Sequence, residues 1–314
     1  MRAFIIRRLI ETIFTLFVVS ILAFVLVQLI PGDPIVSFVG TETPQSEVER
    51  LRHELGFDKP LVVQYVHWLS KVTRGDLGVS LRYREKVNRL IIESAPISLL
   101  LAGVSFLIGM AVGILAGIVS AIRRGRFLDS LVTLCSNLWI AIPIFWFGIL
   151  LIYLFALRLG WLPVSGYISP LENFGQSVRK LIMPVICLSM YQIAVVARQT
   201  RSSMLEVIQQ DYVRTAWSKG LSERIIILRH ALKNSLIPVV TIGGVMVAHL
   251  AGGAVLTETI FNIPGMGRLI INGVLQNDFV VVQACTLVVA LMVALINLVV
   301  DISYAWLDPR IRLS

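Results

Sequence analysis

Six stretches of this sequence are apolar enough, and long enough, to cross a lipid bilayer: Leu9–Ile30, Ile97–Ala121, Leu131–Leu157, Leu181–Ala197, Leu236–Leu256 and Val280–Trp306. A helical crossing needs about 20 mainly apolar residues. In hydrocarbon the backbone must satisfy its own hydrogen bonds, so each run is predicted to be a helix. The expected class is an all-α membrane protein with six transmembrane helices. With 56% hydrophobic and 15% charged residues, the chain lies far from the soluble average, where about a quarter of residues are charged.

The first run exceeds the apolar part of a signal peptide, and no small-residue cleavage site precedes the next apolar stretch, so it is expected to persist as a helix. Arg2, Arg7 and Arg8 flank its start. Arg123, Arg124 and Arg126 lie in the second connection, and the Arg198–Asn234 connection holds seven Lys or Arg. The positive-inside rule places these three segments in the cytoplasm, and six crossings return Arg310 and Arg312 to the same side. Distributed in this way, a net charge of +9 reports topology and not nucleic-acid binding. Cys135, Cys187 and Cys285 fall inside apolar runs without metal-ligand spacing and read as small buried hydrophobes.

The long outer connection carries local order. Ser46 and Glu49 form a capping box for a short helix that Gly56 can end, and Asp58-Lys59-Pro60 opens another. This second helix sets Leu61, Tyr65, Trp68, Leu69 and Val72 on one side, against either the membrane surface or the protein itself. An entry helix over Glu85–Ser94 is predicted to turn a corner at Pro96. Gly109, Gly113 and Gly117 then clear one helical face for close packing. Gly243, Gly244, Gly252 and Gly253 do the same in the fifth run, with a bend needed for motion as the alternative.

Between the fourth and fifth runs lies a charged helix-turn-helix pattern, Asp211 to Asn234. Asp211 can cap a first helix carrying Val213, Ala216 and Trp217, and Gly220 can close it in a left-handed turn. Ser222 can cap the second, with Glu223 in its first turn and Ile225, Leu228 and Leu232 on one face. Such an element reads as a docking site for a partner or as a basic helix lying on lipid. After the fifth run, Pro264-Gly265 and Gly267 demand a tight turn, either a plain loop or a segment folding back into a pore mouth.

No phosphate-binding loop, His-Glu-x-x-His, Cys-x-x-Cys or nucleophile elbow is present, so the chain is not expected to bind or hydrolyse ATP alone. His249 is the one histidine inside a predicted span, where a neutral, hydrogen-bonded packing role is favoured over metal contact. Asp301, near the inner end of the sixth run, is expected to pair with a basic neighbour.

Three runs carry a family resemblance: Tyr212-Val213-Arg214-Thr215-Ala216 with Lys219-Gly220-Leu221-Ser222; His230-Ala231-Leu232-Lys233-Asn234; and Thr257-Glu258-Thr259-Ile260-Phe261 with Pro264-Gly265-Met266-Gly267-Arg268. They resemble the permease subunits of bacterial ABC importers for dipeptides, oligopeptides and nickel. The likeness extends to Arg7-Arg8, Ile30-Pro31-Gly32-Asp33-Pro34, Leu55-Gly56, Gly75-Asp76-Leu77-Gly78, Pro143, Arg198, Arg201-Ser202-Ser203-Met204 and Asp308-Pro309-Arg310-Ile311-Arg312. The general motif of such permeases is Glu-Ala-Ala, three residues, Gly, nine residues, Ile-x-Leu-Pro. Here Arg214 and Thr215 replace its first two positions, Ala216 and Gly220 are kept, and the terminal Leu-Pro becomes Leu232-Lys233.

The resemblance implies a type I importer permease fold in a bacterial cytoplasmic (inner) membrane, with both termini cytoplasmic. It divides the chain into a first helix over 1–30, an extracytoplasmic loop with short helices over 31–96, a five-helix core over 97–306 and a tail over 307–314. The coupling helix, within about 211–234, would dock on an ATPase through Asp211, Tyr212, Arg214, Thr215, Ala216, Lys219, Gly220 and Leu221. Glu258, Asn262, Pro264, Gly265 and Gly267 are candidates for the outer gate or for contact with an extracytoplasmic binding protein. Implied partners are a second permease chain, two ATP-binding cassette subunits that hold ATP and Mg, the binding protein and membrane lipid. No catalytic residue, metal or cofactor is assigned to this chain. Import of peptides is the favoured reading and import of nickel or a metal chelate the alternative within the class. A secondary transporter, expected to carry intramembrane carboxylates or an internal repeat, and a membrane receptor are the alternatives outside it.

Overall fold

A computed structural model describes residues 2–28, 44–55, 58–80 and 82–307. The expectations placed on Ile30–Pro34, Gly56 and Asp308–Arg312 lie outside these, and the side chain of Asp301 is likewise outside the description. Among the described residues the secondary structure is helical, apart from one isolated bridge between Val79 and Lys86. Among the described residues five helices are long and apolar enough to cross a membrane, and a bent helix pair makes a sixth crossing if counted as one span.

The chain divides into two compact units. One comprises 2–98 and 264–295. It contains α1 (Arg2–Gln28), α2 (Gln45–Leu55), α3 (Leu61–Thr73), the start of α4 (Val87–Ile122), α11 (Met266–Leu275) and most of α12 (Phe279–Leu307). Its core joins Val87, Ile91 and Ala95 of α4 to Met266 and Leu269 of α11 and to Val281, Ala284 and Cys285 of α12. The amphipathic face foreseen on α3 settles on protein: Tyr65 and Trp68 meet Phe24 of α1 at ring centroids of 5.5 and 5.9 Å, and Tyr65 shares a 2.7 Å hydrogen bond with Ser20. Helix α2 starts at Gln45, which puts Ser46 inside the first turn and not at the cap.

No corner forms at Pro96. Helix α4 runs through it for 36 residues. Proline removes one backbone hydrogen bond, but Pro96 lies on an exposed face while Ile91 and Ala95 are buried in the core, so packing on one side holds the helix.

The other unit comprises, among the described residues, 99–263 and 296–307 and contains the rest of α4, α5 (Phe127–Ala141), α6 (Ile144–Leu151), α7 (Phe174–Ile208), α8 (Asp211–Ser218), α9 (Glu223–Ile225) and α10 (Leu232–Ile260). Helix α7 is its centre, burying Met183, Leu188, Ala194, Val196 and Met204. The glycine stripe of α4 lies against it: a Cβ at Gly113 would come within 2.7 Å of Val196 and one at Gly117 within 2.5 Å of Thr200. Gly243 faces Met110 and Gly253 faces Leu188, so these two serve packing as well, whereas among the described residues nothing lies within 4 Å of a Cβ at Gly252.

The third apolar run is not the single straight crossing expected from its length. It breaks at Ile142-Pro143, and the two arms meet at 106°. Pro143 lacks the N–H that would continue the ladder and pushes Ile142 out of the helical region, to φ −78° and ψ 125°. The second arm ends in a π-helical turn over Ile152–Arg158.

Candidate docking helix and membrane cavity

Helix α8 is built to show one face and hide the other. Val213 and Ala216, three residues apart, are buried against Ile226, with Val207 and Leu221 packed alongside. Asp211, Tyr212, Arg214, Thr215, Trp217, Lys219 and Gly220 are exposed, and Leu221 is half-buried. Of the residues the family motif shares with this chain, Ala216 therefore holds the helix to its own protein, while Gly220, at φ +78°, makes the left-handed turn expected of it. The Tyr212 hydroxyl accepts a 2.8 Å hydrogen bond from Asn234, tying the exposed face to the foot of α10.

Three local expectations need correction. Asp211 does not cap α8: Gln210 occupies the cap, and Asp211 sits in the first turn 3.6 Å from Arg214. A negative charge there still suits the helix dipole. Ser222 occupies the cap position of the next helix, with Glu223 in its first turn, but its side chain makes no capping hydrogen bond among the described residues. The side chain of Leu228 lies outside the description. Among the described side chains that follow, Ile226, Ile227 and Ala231 are buried, Leu232 is half-buried against Ile227 and Ala231 as part of the expected face, and Ile225 is exposed. Residues 226–231 are π-helical, so this segment does not keep the 3.6-residue period on which the expected face was read.

A buried ion pair anchors α5 to α7. Asp129 is 5% exposed and accepts from Arg201 through both oxygens, at 2.6 and 2.9 Å. Ser120 and the Gly125 N–H, at 2.9 Å, complete its shell. The pairing escapes sequence reading because its partners lie 72 residues apart. The only signal was an acid next to an apolar run.

The unit that holds α5, α7 and α10 also contains a cavity of about 230 Å³, lined by residues that include Ile142, Leu188, Tyr191, Gln192, His249 and Gly253. His249 is exposed and stacks on Tyr191 with ring centroids 4.3 Å apart and planes inclined by 26°. Gln192 was passed over in the sequence. An amide inside an apolar span was the available signal, because such groups are costly in a membrane and rarely face lipid.

The outer-gate candidates separate by burial. Glu258 is fully buried, and its carbonyl accepts from the Ile263 N–H at 2.8 Å; Asn262 is exposed in a left-handed conformation at φ +54°. Pro264 is exposed, while Gly265 and Gly267 are buried at the start of α11. The Met266 N–H donates to Ser98 at 2.7 Å, and Asp278 accepts from Ser80 and from the Arg82 N–H. The turn after α10 is therefore followed at once by a helix packed into a core and not by a free loop.

Fold and site together define a polytopic, all-helical membrane protein that carries one polar, half-buried helix between two of its spans. Residues 113–313 match the model of the family described as binding-protein-dependent transport system inner membrane component, and residues 1–102 match the corresponding N-terminal model. Over 312 residues the chain is 39% identical to a probable peptide ABC transporter permease protein of Sinorhizobium fredii, covering 99% of this chain and 100% of that one. It is 43% identical to the di/tripeptide transport system permease protein DppB of Pseudomonas aeruginosa, covering 99% of each. Among solved structures, an inward-facing form of the MetNI methionine ABC transporter aligns with a TM-score of 0.57 at 16% identity, over 70% of this chain and 96% of that one. This chain belongs to the family of binding-protein-dependent transport system inner membrane components, and its fold is that of an ABC importer permease.

Proposed function

We propose that the chain is one of two permease subunits through which an ATP-driven importer carries dipeptides and oligopeptides into a bacterial cell. The observation that carries this reading is the end-to-end match to relatives named as peptide permeases. Those names favour peptides over nickel as cargo.

Helix α8 is the element suited to receive force. Its buried side, Val213 and Ala216, fixes it to Ile226, and its exposed side offers Tyr212, Arg214, Thr215, Lys219 and Gly220 to a groove on an ATPase subunit. ATP and Mg belong to that subunit. Because α8 is packed on its own protein and not tethered by a loose linker, displacement of the ATPase would carry the surrounding helices with it and expose the path alternately outward and inward. The positive-inside rule puts α8 and both termini in the cytoplasm. On the outer side, Asn262 and Pro264 are the exposed candidates for contact with the binding protein, while Glu258, Gly265 and Gly267 hold the turn that presents them.

Reconstitution tests the reading. Vesicles containing this chain, its partner permease and two ATPases, supplied with the binding protein, are expected to accumulate labelled dipeptide only when ATP is present on the ATPase side. Uptake by this chain alone under an ion gradient would overturn it.

A further inference from the structure

Three faces can be told apart on α5. Asp129 and Ser136 are buried, with Asp129 held by Arg201 of α7. Phe127, Leu131, Leu134 and Leu138, at i, i+4, i+7 and i+11, form a second face that is exposed and wholly apolar, as a lipid-facing row should be. The third lies about a quarter turn round the helix and is polar: Ser130, Thr133 and Asn137, at i, i+3 and i+7, are all exposed. None of these three side chains makes a hydrogen bond among the described residues, whereas Thr241, Thr257 and Thr259 of α10 each donate to the carbonyl one turn back. Open polar groups are costly against hydrocarbon, so this face is turned away from lipid.

The same face leads into a hollow. Ile140, two turns beyond Thr133, lines the cavity described above. His249, another lining residue, is exposed and also makes no side-chain hydrogen bond among the described residues.

We propose that the polar face of α5, with the hollow at its end, is a water-filled wall of the route that cargo takes, an inference that rests on the peptide-importer reading above. Two observations favour this occupant over a helix of the second permease. The hollow, about 230 Å³, is concave, a shape that admits water and solute and that a neighbouring rod-shaped helix leaves unfilled. At the other end, Ser130 lies one turn from Arg126, in the basic connection that the positive-inside rule puts in the cytoplasm, so the face is continuous with cytoplasmic water. The wall offers hydroxyl, amide and imidazole groups and no Asp, Glu, Lys or Arg. It can exchange hydrogen bonds with the backbone of any peptide without selecting the charge of its side chains. An uncharged wall also holds cargo weakly enough to release it, as conduction through a membrane requires.

The test uses the complete assembly in inside-out vesicles, with Thr133→Cys, Asn137→Cys or Leu134→Cys introduced singly and the wild type as the background for the native cysteines. A charged, membrane-impermeant thiol reagent on the ATPase side is expected to modify T133C and N137C about tenfold faster than L134C, because the reactive thiolate forms in water and not in hydrocarbon. Dipeptide and binding protein supplied during ATP turnover are expected to slow the reaction at N137C. In an assembly that imports dipeptide, equally slow modification at all three positions, disulfide crosslinking of N137C to the second permease, or modification indifferent to cargo overturns the wall and leaves the importer reading in place. An assembly without ATP-driven dipeptide uptake overturns the importer reading and the cargo route with it. Should the variants fail to assemble, photolysis of a dipeptide carrying a diazirine side chain during uptake by the wild type decides: attachment within 130–140 supports the wall, and attachment confined to other segments overturns it.

Discussion

Arg201 grips Asp129 with two nitrogens, Nε to Oδ1 at 2.6 Å and Nη2 to Oδ2 at 2.9 Å, and so locks the start of α5 onto α7. The two partners differ in their access to water: Arg201 keeps 32% of its side chain exposed and Asp129 only 7%. Removing the arginine therefore leaves a carboxylate with little water to turn to. Removing the acid leaves a guanidinium that can reach solvent.

That asymmetry predicts a ranking. Arg201→Ala is expected to destabilise the protein by about 3 kcal/mol, at the lower end for a broken buried pair, and Asp129→Ala by less. Thermal midpoints of the purified variants in detergent check the order; equal midpoints would show the pair to be incidental.

The glycine stripe makes a sharper contrast. A Cβ at Gly117 would meet the Ala197 carbonyl oxygen at 2.6 Å, and backbone cannot step aside as a side chain can. Gly117→Ala is expected to cost about 1–3 kcal/mol through overpacking. Gly252→Ala, with nothing within 4 Å, is expected to be neutral or mildly stabilising, as alanine favours the helix by about 1 kcal/mol. Comparative unfolding by heat or denaturant reads both.

Gly220 is constrained by its backbone and not by its neighbours. Its φ is +78°, and among the described residues no atom lies within 4 Å of where a Cβ would stand. Gly220→Val is thus expected to strain the turn by about 1–2 kcal/mol while leaving the chain in the membrane. On the docking reading, ATP-driven dipeptide uptake by the assembled transporter falls sharply; unchanged uptake would remove α8 from the coupling role.

The two faces of α8 should respond differently to charge. Val213→Asp buries an unpaired carboxylate in a fully closed site and is expected to loosen α8, which trypsin cleavage at Arg214 or Lys219 would report. Arg214→Glu changes an exposed position and removes that one trypsin site; cleavage at Lys219 should stay as slow as in the wild type while co-purification of the ATPase weakens. If both variants behave alike, the division into a buried and an exposed face is wrong.

Docking of α3 on α1 is the fourth contact open to test. Phe24 touches both Tyr65 and Trp68, so Phe24→Ala removes the shared aromatic surface and is expected to cost about 3 kcal/mol locally. Faster proteolysis near Lys71 and Arg74 would be the readout.

What the sequence determined by itself was set by short-range and compositional physics. Runs of about 20 apolar residues had to be helices because lipid offers backbone no partner, and Gly220 had to turn left-handed where the charged pattern broke. The tertiary structure decided where local rules compete with packing. Pro143 breaks its run through 106°, while Pro96 leaves α4 continuous because neighbouring residues are held in a core. Ile226 and Ile227 are buried where Ile225 was expected to be, beside a π-helical turn that no 3.6-residue period can foresee. Asp129 and Arg201, and likewise Gln192 and Gly109, meet only after folding, because residues 72 and 83 positions apart are brought together by which helix faces which, and that depends on the whole unit.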